Sequence, residues 1–229
     1  MTPVRSVVRL ATLALLLTGV PGLADAQVFV GSARPRAGTV EFAGGGLWTG
    51  GKTFSSAPAS LTPNPGGGQP SFDLFDAEPR ISQAFGGQAL LAVYLTPALA
   101  VEGGFQFSRP ALEVRLTDDF EDASDVTATT RINSYLFTGS LVYHFNPRAT
   151  TVPFIAGGAG HIRDAAAGHE VVETGIEYHG KVGVKARVGR LRNWGWRAEA
   201  GISVRDGGFS FDDDVRIVPS AAFSLLYLF

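Results

Sequence analysis

The chain has 229 residues and a formal net charge of −2, which fits one domain or at most two and gives no electrostatic case for nucleic acid. It has no cysteine, which excludes a disulfide framework, a thiolate metal site and a lipid-modified cysteine. With 29 glycines, 13 prolines and 16 phenylalanines against a single methionine, the composition is poor for a helical protein and suits strands joined by turns.

The first predicted element is a secretory signal peptide over residues 1–26. Arg5 and Arg9 form its positive start, Leu10 to Val20 its apolar stretch, and Ala24-Asp25-Ala26 a small-x-small cleavage site, so Gln27 is expected to begin the mature chain. The apolar run is much shorter than the roughly 20 residues of a spanning helix. Cleavage would remove Arg5, Arg9 and Asp25, taking the formal charge from −2 to −3. Residues 27–229 contain no second long apolar run, so this part is either soluble after export or spans a membrane as strands.

Along the mature chain, period-two alternation recurs and helical periodicity is nearly absent. Eight strand segments are predicted: Gly38 to Thr49, Pro79 to Leu95, Ala98 to Leu116, Val126 to Phe145, Val152 to Arg163, Val171 to Gly189, Trp196 to Asp206 and Val215 to Phe229. The connections alternate in character. Thr96-Pro97, Asn146 to Thr151 and Arg190 to Gly195 are short. Gly50 to Glu78 is long and rich in Pro, Gly and Ser. Thr117 to Asp125 and Gly207 to Asp214 are acidic, and Asp164 to Glu170 is small and polar.

Each strand segment has an apolar and a polar face. In the fourth, Tyr135, Phe137, Leu141, Tyr143 and Phe145 oppose Ser134, Thr138, Ser140 and His144. In the sixth, Ile176, Tyr178, Val182, Val184 and Val188 oppose Glu177, His179, Lys181, Lys185 and Arg187. A soluble barrel would turn the apolar face inward and a membrane barrel would turn it outward. Three features select the membrane. Tyr94, Tyr143, Phe145, Trp194, Trp196, Tyr227 and Phe229 gather near the short-turn end, as an interfacial girdle would. Apolar-face glycines (Gly44, Gly46, Gly158, Gly160) would fill a soluble core poorly. The last segment alternates Ala221, Phe223, Leu225, Tyr227 and Phe229 with Ala222, Ser224, Leu226 and Leu228, and ends on the aromatic.

This pattern, over essentially the whole mature chain, resembles the small OmpX/OmpA-type eight-stranded outer-membrane barrels. The fold class expected is all-β: a closed up-and-down antiparallel transmembrane β-barrel of about eight strands, with no second domain. The resemblance implies a bacterial outer-membrane location, contact with outer-membrane lipids and lipopolysaccharide, and presentation of the strand ending in Phe229 to the barrel-assembly machinery.

Eight strands leave an interior just filled by side chains. The lumen set expected is Glu41, Glu102, Glu177 and Glu199 against Arg163, Lys181, Lys185, Arg187, Arg197 and Arg205, with Gln88, Gln106, His144 and His161. A structural salt-bridge plug is the favoured reading, and a gated small-solute or proton path the alternative. The scaffold also carries lipid-modifying enzymes. Here, however, none of His144, His161, His169 and His179 has a serine two residues on, and only a cross-strand pair could supply one. Catalytic, cofactor-binding and metal-ligating residues are therefore expected to be none, and no cofactor is implied. Asp118-Asp119-Glu121-Asp122 and Asp212-Asp213-Asp214 read as solvated loops, with divalent-cation binding the sharper alternative. The function expected is a non-enzymatic structural or cell-surface role. A narrow channel and a lipid-modifying enzyme follow in that order. Several strands exceed membrane thickness, so the second to sixth are expected to carry a raised sheet near Thr117 to Asp125, with a rim able to take an extracellular partner.

Overall fold

The computed structural model describes residues 35–61, 72–117, 124–166, 172–188, 193–207 and 216–229. Twelve strands form one connected sheet system: β1 Val40–Thr49, β2 Lys52–Thr53, β3 Ala57–Leu61, β4 Phe72–Ile81, β5 Ala84–Tyr94, β6 Leu99–Ser108, β7 Ala111–Thr117, β8 Val126–His144, β9 Thr151–Ala166, β10 Val172–Val188, β11 Trp194–Gly207 and β12 Arg216–Leu228. The described residues contain no helix.

Eight strands close a ring by antiparallel pairing in the order β1-β5-β6-β8-β9-β10-β11-β12. Closure joins the first strand to the last, with Phe42 opposite Tyr227 and Trp48 opposite Ala221. A closed ring leaves no edge in the barrel wall, and this is the only way strands can cross hydrocarbon with every amide paired.

The faces separate as the alternation requires. Phe42, Leu91, Val101, Phe137, Leu141, Val182, Ile202 and Phe223 stand exposed on the outside. Glu41, Glu102, Glu177, Glu199, Lys185 and Arg197 are buried inside. An outward apolar band of this extent would be a large liability in water and suits lipid. Tyr143, Phe145, Trp194 and Phe229 are exposed near the short-turn end, with Tyr227 packed edge-on against both Trp194 and Phe229.

Five positions depart from the sequence expectation. Tyr94 is not in the girdle. It shares the parity of Gln88, Leu90 and Ala92, and it is buried in the lumen. His161 and Arg163 also lie on the other face from the one expected, because Val152, Phe154, Ile162 and Asp164 take the inward positions of β9. Gly158 and Gly160 have that same inward parity, whereas Gly44 and Gly46 face outward with the apolar side chains of β1.

The long connection expected over Gly50 to Glu78 is instead partly strand. β3 pairs with β4, β4 with β7, and β7 with the first part of β8. This second sheet continues the barrel upward. Ile81 and Ser108 end their strands, and Ala84 and Ala111 start the next, so the breaks fall side by side. They are bridged by Ser82 N–H to Ala111 O (2.8 Å), Ala111 N–H to Ser82 Oγ (2.8 Å) and Ile132 N–H to Pro110 O (2.9 Å). The raised sheet therefore extends the second, third and fourth barrel strands. Among the described residues the fifth and sixth, β9 and β10, do not join it, the described β8–β9 ladder ending at the Ile132–Ala166 pair. The signal segment 1–26, both acidic clusters and His169 fall outside the described residues.

Candidate functional site

The lumen is a column of polar groups that changes character from the short-turn end to the loop end. At the short-turn end, Lys185 Nζ donates to Glu41 Oε1 at 2.6 Å and the Tyr94 hydroxyl donates to Glu41 Oε2 at 2.8 Å. Tyr94 stacks on His144 with centroids 5.0 Å apart. Phe154 lies under two cations, with Lys185 Nζ 5.3 Å and the Arg197 guanidinium 4.5 Å from its ring. Arg187 Nη1 donates to Pro147 O at 3.3 Å, but its Nε and Nη2 are buried with no partner.

Arg197 is the centre of the plug. It is 0% exposed. Both its terminal nitrogens bind the Glu102 carboxylate, Nε reaches Glu199 Oε2 at 2.8 Å, and Nη2 approaches the same oxygen at 2.5 Å. Gln88 Nε2 donates to Glu199 Oε1 and to Ser224 Oγ, each at 3.1 Å. The guanidinium fork suits two carboxylates at once, as the single point charge of a lysine would not. Glu102, Arg197, Glu199 and Gln88 come from β6, β11 and β5, and only the closed ring brings them together.

One step higher, Ser140 Oγ and His179 Nε2 share a 2.8 Å hydrogen bond. Glu177 Oε1 lies 3.7 Å from His179 Nδ1, and Glu177 Oε2 accepts a 2.6 Å bond from Arg205 Nε. This Ser–His contact is the cross-strand pair that sequence spacing left open. Ser140 on β8 and His179 on β10 both stand opposite Gly158 on the strand between them. A Cβ on Gly158 would come within 2.0 Å of Gly139 O, so glycine is what lets β8 and β9 approach so closely. The signal was present in parity, but it needed the register of two hairpins to be read. As a nucleophile–base pair the contact has suitable length, but the 3.7 Å separation from Glu177 exceeds hydrogen-bond reach and leaves His179 Nδ1 unpartnered.

At the loop end is a cavity of about 20 Å³, room for about one water molecule. Its wall includes Thr49, Ser82, Ser108 and Ser134 from the barrel rim, Ile132 and Val218, and the charged residues Lys52, Asp164, Arg205 and Arg216. Ser140 does not line it. Of the lumen set read from sequence, Glu41, Gln88, Glu102, Gln106, His144, Glu177, Lys181, Lys185, Arg187, Arg197, Glu199 and Arg205 face inward, while Arg163 and His161 do not. Asp164, Arg216, Tyr94 and Ser140 are the residues that the sequence reading did not single out for this site. The described residues hold no cluster of three or more His, Cys, Asp or Glu side chains placed to share a metal ion.

Solved structures share this architecture. The outer membrane protein OprG of Pseudomonas aeruginosa superposes with a TM-score of 0.53 at 10% identity, covering 87% of this chain and 98% of that one. The fold is that of a small eight-stranded outer-membrane barrel. Ail, the attachment invasion locus protein of Yersinia pestis, solved with the heparin analogue sucrose octasulfate, gives 0.47 at 16% identity over 84% of this chain and 99% of that one. The outer membrane protein AlkL in lipid bilayers gives 0.40 at 16% identity over 86% and 93%. No family model matches the chain, and no curated protein matches it either. At these identities the likeness establishes the fold and nothing of the activity.

Proposed function

We propose that the chain is a non-enzymatic bacterial outer-membrane protein, exported by cleavage after Ala26, whose working surface is the raised sheet above a plugged barrel. The observation that carries this reading is the division of the molecule. The lumen around Arg197 is filled by mutually paired charges, while β3, β4, β7 and the first part of β8 form a sheet beyond the ring. On this reading the short turns are periplasmic and the raised sheet is extracellular. The apolar band contacts outer-membrane lipid, lipopolysaccharide surrounds the rim, and the strand ending in Phe229 is what the assembly machinery receives.

Within the sheet, Val126 to Arg131 pair with β7 alone among the described residues, the described β8–β9 ladder beginning at Ile132. These six residues offer about 20 Å of strand edge at about 3.3 Å each. Such an edge takes an extended partner through main-chain bonds, with alternate side chains giving selectivity. Glu78 opposite Arg115 and Arg80 opposite Glu113 place unlike charges in register inside the sheet, which favours its own pairing over disorder.

The decisive experiment shortens the hairpin between Arg109 and Thr129 and leaves the ring intact. Heat-modifiable migration and outer-membrane fractionation should persist, and cell-surface binding should fall. Retention of every surface phenotype would refute the reading. The second reading, a narrow channel, is favoured by the continuity of polar groups along the lumen. Reproducible conductance steps from pure protein in planar bilayers would select it.

A further inference from the structure

The cavity at the barrel mouth contains a buried cation, Arg216, that no described carboxylate approaches within 4.0 Å. Arg216 is 6% exposed, its Nε has no hydrogen-bond partner, and its side chain lines the cavity. Its register partner across the β11–β12 pair is Arg205, so a second guanidinium is brought beside it, and Arg205 is already committed to Glu177. Asp164 lines the same space, is 2% exposed, and has an unpartnered Oδ1, yet makes no ion pair with Arg216 within 4.0 Å. Arg187, the other buried arginine with unpartnered nitrogens, has a carbonyl acceptor and does not line this cavity.

Among the described residues the charges do not balance. Lys52, Arg205 and Arg216 face Asp164 and the Glu177 that holds Arg205, which leaves one positive charge in excess. Burying an arginine without an acceptor is costly, and an arrangement of this kind persists when something fills the gap. Hydroxyls of Thr49, Ser82, Ser108 and Ser134 supply further donors around the space.

We propose that the mouth cavity is a binding site for one small monovalent anion, of chloride size, held by Arg216 and by the field of Lys52 and Arg205. Asp164 sets the charge limit: it repels a second negative charge, so a dianion such as sulfate is disfavoured, and the small volume excludes larger carboxylates. The site is independent of the raised sheet's role as a docking surface.

The test uses the refolded full barrel in detergent micelles, ¹⁵N-labelled, in potassium gluconate at constant ionic strength. Chloride replaces gluconate while the Arg216 side-chain Nε–H resonance is followed. A saturable shift is expected in the parent protein. Arg216→Gln should weaken the response at neighbouring amides by about tenfold or more, since a charge-assisted bond is lost. Asp164→Asn should tighten it several-fold. Arg216→Lys, which keeps the charge but not the fork, should bind with intermediate affinity and guards against a folding defect in the glutamine variant. A non-saturating response in the parent, equal binding in Arg216→Gln and the parent, or unchanged binding in Asp164→Asn would each overturn the proposal.

Discussion

The two ends of the lumen solve the same problem in different ways. Arg197 sits fully buried with carboxylates from two strands and a glutamine behind them. Arg216 sits almost as deeply, beside a cavity, with an unpartnered Nε. Charge in a narrow barrel is tolerated when every lone pair and proton is used, or when a space remains for a small mobile ligand. The first arrangement gives a rigid plug and the second a vestibule. The difference lies in the partners that the ring supplies, since both residues are arginines with the same inward parity.

Arg197→Ala should break that comparison most visibly. It leaves Glu102 buried without its cation and Glu199 with only Lys181 at 3.7 Å, a loss of about 3–5 kcal/mol for a broken buried pair. Urea titration of the micelle-embedded barrel, scored by heat-modifiable migration, should show a much lower midpoint. Arg216→Ala should lower it far less, because no described carboxylate is directly bonded to that side chain. Equal losses would erase the distinction between plug and vestibule. Replacing Arg197 by Met together with Glu102 by Gln, and leaving Glu199 to Lys181, should recover much of the stability, since the desolvation cost of that pair goes with its charges.

A smaller effect is expected from Gly158→Ala. The new Cβ would meet Gly139 O at 2.0 Å, so β8 and β9 must separate, at a cost of about 1–3 kcal/mol for an overpacked site. The same unfolding assay measures it, and the Ser140–His179 hydrogen bond should weaken with it. Ser140→Ala should cost only about 1 kcal/mol, the worth of one hydrogen bond. A fluorophosphonate probe should label neither the parent nor this variant. Labelling of the parent that disappears in Ser140→Ala would establish a reactive serine and overturn the non-enzymatic reading.

The terminal strand separates assembly from stability. Deleting Phe229, exposed at 76% and packed edge-on against Tyr227, should lower outer-membrane assembly in cells far more than Ser224→Ala. In vitro unfolding of material already folded should change little. A large in vitro loss would mean the residue acts through packing instead of recognition.

The alternation was legible wherever a strand had one apolar face, which is why the sidedness of Tyr135 to Phe145, Glu177 to Val188 and Ala221 to Phe229 follows from parity alone. It misled where both faces of a strand carry mixed character. His161 and Arg163 looked like lumen charges because they are polar, yet Ile162 and Asp164 hold the inward positions. Tyr94 looked like a girdle residue because it is aromatic and near a turn, but it follows Ala92 inward to meet Glu41. Gly50 to Glu78 looked like a loop because Pro and Gly dominate its middle, although residues 72–81 have enough β-branched, aromatic and alternating character to pair with β7.

The sequence by itself determined that strands would alternate between apolar and charged faces, that short turns would lie at one end, and that a closed ring was required. Those are local consequences of side-chain period and of amide satisfaction in lipid. Which charge meets which was decided only by the tertiary structure. Ser140 finds His179 across Gly158, Arg197 finds Glu102 across the lumen, and Arg216 finds a cavity. Each of these depends on the register of several hairpins and on the closure of β1 against β12, and a period of two carries no information about either.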